Sequence, residues 1–121
     1  MHELSIAHSI LSIAERSLPA GSEGTITGVN LQIGELSSIE TEALVFAFSA
    51  IRSGTVLERA ELNIETIPGE ASCSDCGTVF HMSSFGTPCP NCQGFLLNIL
   101  QGKELKVLSL TVEESEPSHT A

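Results

Sequence analysis

The 121-residue sequence predicts a small α+β fold: a layer of helices and strands with a metal module inserted between strands. Three observations lead there. Apolar residues recur at helical spacing over 3–18 and again over 38–53. Apolar and polar residues alternate over 25–34 and 58–67. Two Cys-x-x-Cys knuckles, Cys73/Cys76 and Cys89/Cys92, then sit in a stretch that is otherwise small, polar and rich in Gly and Ser.

The first helix is carried by Ala7, Leu11, Ala14 and Leu18, with Ile10 beside them, and Pro19-Ala20-Gly21-Ser22 ends it. In the first strand Val29, Leu31 and Ile33 alternate with Asn30 and Gln32. Ile26 is out of phase, so Gly28 marks a bulge. Ser37 followed by Glu40 reads as a capping box opening the second helix, which turns Leu44, Val45, Phe48 and Ile51 inward and stops at Gly54. The second strand directs Ala60, Leu62 and Ile64 one way and Glu61, Asn63 and Glu65 the other.

Pro68-Gly69 breaks the pattern. Residues 70–94 hold too little apolar material to fold without a staple. Strand character returns in Phe95–Leu100 and Leu105–Val112, with Gln101-Gly102 between them as a hairpin turn. The expected division is therefore one α/β domain over 1–68 and 95–113, a metal module over 69–94, and a disordered acidic tail over 114–121.

The formal charge is −10, from 15 acidic and 5 basic residues. Phosphate contacts need Lys and Arg, so nucleic acid is excluded as a partner, whereas basic proteins suit this balance. No apolar run reaches the roughly 18 residues of a membrane span. The first residues lack the basic region of a secretory signal, which points to a cytoplasmic, reducing location. No Ser-His-Asp set, phosphate loop or Gly-rich dinucleotide loop is visible, so the chain does not read as an enzyme, and any use of GTP belongs to a partner.

The cysteines are spaced Cys-x2-Cys-x12-Cys-x2-Cys. A two-residue gap lets both sulfurs of a knuckle converge on one tetrahedral zinc. Gly77 and Gly94 give the knuckles their turns, and Pro90 stiffens the second. Paired disulfides or a redox dithiol are the other uses of this pattern, and a reducing compartment favours metal over both. Four thiolates leave no coordination position open, so the zinc is structural. His81 could replace a thiolate, although a surface histidine on a loop is the commoner case.

The chain opens Met1-His2-Glu3. The α-amine of Met1 with the amide nitrogen and imidazole of His2 can chelate one ion through small fused rings. Nickel(II) prefers such tetragonal nitrogen donors. Taken alone, a histidine at position 2 is usually just solvated; His8 reads as a solvated or packing residue and His119 has no role.

Met1-His2-Glu3-Leu4-Ser5-Ile6 followed by the Cys73/76–Cys89/92 spacing resembles the HypA/HybF family of hydrogenase nickel-insertion proteins. Val29-Asn30-Leu31-Gln32-Ile33-Gly34-Glu35-Leu36 and Gly102-Lys103-Glu104-Leu105-Lys106-Val107 resemble it too, in register over nearly the whole chain. The resemblance implies a two-helix, three-stranded nickel-binding domain with a zinc-ribbon-like module. It implies nickel(II) bound transiently at Met1, His2 and Glu3, with His2 the essential ligand, and zinc(II) held at Cys73, Cys76, Cys89 and Cys92. It further implies nickel delivery to the large subunit of [NiFe]-hydrogenase beside a HypB-type GTPase, with urease maturation proteins served in some members. The chain is compatible with a monomer or a homodimer. The rival reading is a zinc-ribbon protein-interaction module with no part in metal delivery.

Overall fold

The computed structural model describes residues 3–18 and 24–113. Met1, His2, the expected helix-ending segment 19–23 and the expected tail 114–121 lie outside the described residues. The elements are α1 (Glu3–Ser17), β1 (Thr25–Gly34), α2 (Thr41–Ile51), β2 (Glu61–Ile67), β3 (Glu70–Cys73), β4 (Val79–His81), β5 (Leu97–Gln101) and β6 (Leu105–Glu113). The α+β class is as predicted. No described helix is long and apolar enough to cross a membrane.

The described residues fall into two compact units: residues 3–18, 24–31, 39–63 and 107–113 form one, and residues 32–38 and 64–106 the other. In the first, α1 packs on α2, and Ala7, Ile10 and Ala14 are buried with Leu44, Ala47 and Phe48. Ile26, Val29 and Leu31 of β1 are also buried in this unit, as are Leu57 and Ala60. Truncating a core aromatic such as Phe48 to Ala costs about 3–5 kcal/mol, so this small core tolerates few such losses. Val45, expected to face inward, is 45% exposed, and Ala47 takes its place on the buried stripe.

Strand β1 lies between β2 and β6 in a three-stranded sheet. Asn63 donates to Asn30 at 3.0 Å and Gln32 donates to Glu65 at 3.1 Å; the partners advance together, so β2 runs parallel to β1. Asn30 also donates to Ser109 and Thr111, whereas the Gly34 amide donates to the Glu104 carbonyl; the partners run in opposite senses, so β6 is antiparallel. Parallel neighbours need a long crossover, and α2 supplies it.

The capping box at Ser37 and Glu40 is not what opens α2. Glu40 is the N-cap residue, and its own side chain makes no cap bond. Residue 43, where a capping-box partner would sit, is alanine and offers no acceptor. Ser38 takes a positive φ of 62° just before the helix.

In the second unit β3 is central, with β4 and β5 antiparallel on either side. This changes the fate of the expected hairpin. Leu97 pairs with Cys73 and Ile99 with Ala71, so β5 belongs with the cysteine-bearing strands, while β6 belongs to the other sheet. The expected module 69–94 thus lies within a larger unit, and residues 95–106 stand with it rather than with the α/β domain. The reason is apolar cover. Ala71 and Met82 are fully buried beside Leu36, and Phe80, Leu97 and Ile99 pack against them. The stretch 70–94 alone lacks enough side chains to do this.

Candidate metal centre

Each knuckle is built by the same pair of backbone bonds. The Gly77 amide donates to the Cys73 carbonyl at 2.8 Å, and the Cys73 amide donates to the Thr78 carbonyl at 2.9 Å. Sixteen residues on, the Gln93 amide donates to the Cys89 carbonyl at 2.8 Å and the Cys89 amide to the Gly94 carbonyl at 2.9 Å. The first cysteine of each knuckle, Cys73 or Cys89, is buried; the second, Cys76 or Cys92, is exposed. The chain turns at the fourth residue after each first cysteine, with φ 81° at Gly77 and 67° at Gln93. The turn of the second knuckle therefore falls on Gln93, not on Gly94 as the sequence led us to expect. Gly94 serves a different end: a Cβ there would stand 3.0 Å from Asp75 Oδ2 and 3.3 Å from Cys92 Sγ. It is small because the sulfurs need the room.

The four sulfur atoms lie within 4.8 Å of one another. Cys73 and Cys92 approach to 3.5 Å, Cys76 and Cys89 to 3.6 Å. Zinc–sulfur bonds of about 2.3 Å in a tetrahedron put sulfurs about 3.8 Å apart, so the cage suits zinc with little adjustment. The residues therefore fit the group: these four thiolates would hold one zinc and close it off from water.

Without a cation the thiols divide unevenly. Hydrogen bonds from the Thr78 side chain, then from Asn91 and the Thr78 backbone, hold Cys76 down at about 6. Although the Gly94 amide acts to lower it, Cys92 is pushed up to about 12 by sharing hydrogen bonds with Cys73 and the other thiols and by partial desolvation beside them. Four negative sulfurs cannot share so small a volume unless a cation joins them. Thr78 and Asn91, which no sequence argument singled out, are the polar support of this site; their positions within two residues of a cysteine were the available signal.

His81 is not part of the cluster. It lies on β4, and its Nε2 is 2.7 Å from Glu35 Oε1. Exposed His8 likewise stands apart from any described metal group. Of the terminal motif only Glu3 is among the described residues; Met1 and His2 are outside them. Glu3 opens α1, and its Oε2 accepts a hydrogen bond from the backbone amide of Glu40, the N-cap of α2, at 3.2 Å.

Comparison with known proteins places this architecture. Residues 1–112 match the family described as hydrogenase/urease nickel incorporation, metallochaperone, hypA. The chain belongs to the HypA family. A hydrogenase maturation factor HypA of Parabacteroides distasonis is 40% identical, the alignment covering 94% of this chain and 99% of that protein. The Geobacter sulfurreducens protein of the same name is 41% identical, with coverage of 93% and 100%. The solution structure of the nickel metallochaperone HypA from Helicobacter pylori superposes with a TM-score of 0.63 at 30% identity, over 95% of this chain and all of that one. HypA proteins are maturation factors, not enzymes.

Proposed function

We propose that this chain is a nickel metallochaperone of hydrogenase maturation. It takes up nickel(II) at the Met1 amine and at the amide nitrogen and imidazole of His2, with Glu3 completing the motif. It passes the ion to the large subunit of [NiFe]-hydrogenase with a HypB-type GTPase, and urease maturation proteins are a further class of recipient. Zinc(II) at Cys73, Cys76, Cys89 and Cys92 is permanent and structural, and the protein works in the cytoplasm.

The observation that carries this reading is the family match beginning at residue 1 with Met-His-Glu intact, on a chain whose four-sulfur cluster has no place for an exchangeable cargo. Nickel then needs a different site, and nitrogen donors at the first two residues suit its tetragonal preference. Protein partners suit the surface as well. From Cys76 to Gly102 there is no Asp, Glu, Lys or Arg, and Phe85, Phe95 and Leu96 in that stretch are 59–68% exposed.

Metal titration of untagged protein, followed by absorption spectroscopy, tests the reading. It should find one tightly held zinc and one planar nickel per chain, the nickel alone lost in His2→Ala. Nickel that competes with zinc for the cysteines, or that binds His2→Ala unchanged, would refute it.

A further inference from the structure

We propose that the outer edge of β6 is a docking surface for a second copy of this chain, the two β6 strands pairing antiparallel about a two-fold axis at Leu110. The pairing is independent of the nickel reading and involves only residues 107–113 and their neighbours in the helix-bearing unit.

Strand β6 is one edge of its sheet, and among the described residues no strand pairs with its outer side. Its two faces differ. Ser109 and Thr111 accept hydrogen bonds from Asn30, so they share the polar face. Side chains alternate along a strand, so Leu108, Leu110 and Val112 lie on the other face, with the buried Val29 and Leu31 of β1. They are not fully covered there. Leu108 is 51% and Val112 40% exposed, and Leu110 is half-buried. With Ile13 and Leu18 of α1 they line a groove of about 490 Å³. An open row of backbone groups beside a groove that receives alternate side chains is what an added strand needs.

The occupant follows from charge and from the strand's own pattern. The chain carries a formal charge of −10, so like copies repel wherever acidic side chains meet. The opposite edge of the sheet, β2, is guarded in this way by Glu61 and Glu65. Residues 107–112 contain no charged side chain. Strand β5, an edge of the other sheet, spans only five residues, and a bulge interrupts its pairing. Strand β6 is also self-complementary. A two-fold axis at Leu110 sets that residue against its own copy, Leu108 against Val112 of the second copy, and Ser109 against Thr111 of the second copy. Apolar then meets apolar on one face, and hydroxyl meets hydroxyl on the other. At the rim Val107 faces Glu113, where the carboxylate keeps its water. The groove meets α1 at Ile13 and beyond, about 15 Å along the helix from Glu3, so pairing leaves the first turn of α1 clear.

Sedimentation of the zinc-loaded, nickel-free full chain tests the proposal. Wild type should move from its 12.8 kDa monomer toward twice that mass as concentration rises from about 5 to about 500 μM, the range of a small interface. Leu108→Lys and Val112→Glu both fall at exposed positions. Each should weaken dimerisation at least about tenfold, because it buries a charge against an apolar side chain. An equimolar mixture of the two should recover the dimer, because the register sets the new ammonium against the new carboxylate. Amide exchange over Val107–Val112 should slow as concentration rises in wild type and in the mixture, and in neither variant alone.

A monomer throughout that range overturns the proposal and leaves the edge to a strand of another protein. A dimer that survives both single variants overturns it as well, by placing the interface elsewhere. Loss in both without recovery in the mixture, with each variant folded by circular dichroism, removes the two-fold pairing.

Discussion

Glu35 Oε1 lies 2.7 Å from His81 Nε2 and accepts the Gly69 amide proton at 2.9 Å. One carboxylate at the end of β1 thereby holds the start of the cysteine-bearing segment and the strand β4. The Gly69 amide bond first, then the His81 bond, keeps the Glu35 carboxyl below its ordinary value near 4.5. A carboxylate lowered on folding stabilises the protein above its unfolded pKa, and the benefit is lost as pH falls through the folded value. Glu35→Gln should therefore flatten the loss of stability below about pH 4.5, the ordinary value. Denaturant unfolding from pH 6 downward, comparing the variant with wild type, checks this. Acid release of zinc affects both proteins alike, so parallel curves would count against the role given to Glu35.

Gly77 and Gly94 should fail in different ways when changed to alanine. Gly77 has open space around its missing Cβ but a φ of 81°, so Gly77→Ala strains the backbone by about 1–2 kcal/mol. Gly94→Ala instead drives a methyl toward Cys92 Sγ and Asp75. The expected outcome is a lower midpoint of unfolding with near-normal zinc retention for Gly77→Ala. Gly94→Ala should release zinc faster to a chelator. Identical zinc release by the two variants would remove the distinction.

Removing zinc should spare the helices. Both α1 and α2 belong to the unit that contains none of the cysteines. The unit of β3, β4 and β5 depends on one small apolar cluster around Ala71 and Met82, too little to hold without the metal staple. Chelation, or Cys73→Ala at a buried ligand, should leave the helical circular dichroism close to native. Amide protection in Ala71–Cys73 and Val79–His81 should collapse. A parallel loss of helix would show that the staple supports the whole chain.

What the sequence disclosed follows from the range of each signal. The period of Ala7, Leu11, Ala14 and Leu18 and the alternation of Val29, Leu31 and Ile33 are local, and both elements stand where that pattern put them, although Leu11 and Leu18 are only half-buried and Ile10 joins Ala7 and Ala14 on the buried face. The cysteine spacing is local as well, and its four sulfurs converge. Two errors came from long range. Gln101-Gly102 has the composition of a hairpin turn, yet β5 is claimed by β3, which needs Leu97 and Ile99 as cover. Ser37 and Glu40 have the spacing of a capping box, yet the cap bond comes from Glu3, a partner no window of a few residues contains. The position of His81 beside Glu35 was illegible for the same reason.

A single glycine placed before Met1 gives the sharpest test of transient nickel binding. In the proposed site the amine of residue 1 and the amide and imidazole of residue 2 supply three nitrogens, and the fourth position stays exchangeable. An incoming ligand of the acceptor can enter there before the ion leaves. The added glycine moves the histidine to third place. An amine, two amides and an imidazole then complete a four-nitrogen plane, the geometry nickel(II) favours. Affinity should rise by more than about tenfold, or about 1.4 kcal/mol, while transfer to a competing chelator slows. For the native protein the transfer rate should climb with acceptor concentration; for the extended one it should approach spontaneous release. A tag fused to the N-terminus should abolish the native spectrum, and the same tag at the C-terminus should not. Equal affinities and exchange rates for native and extended proteins would mean that the amine of Met1 is not a ligand, and that the lability of the cargo must be sought elsewhere.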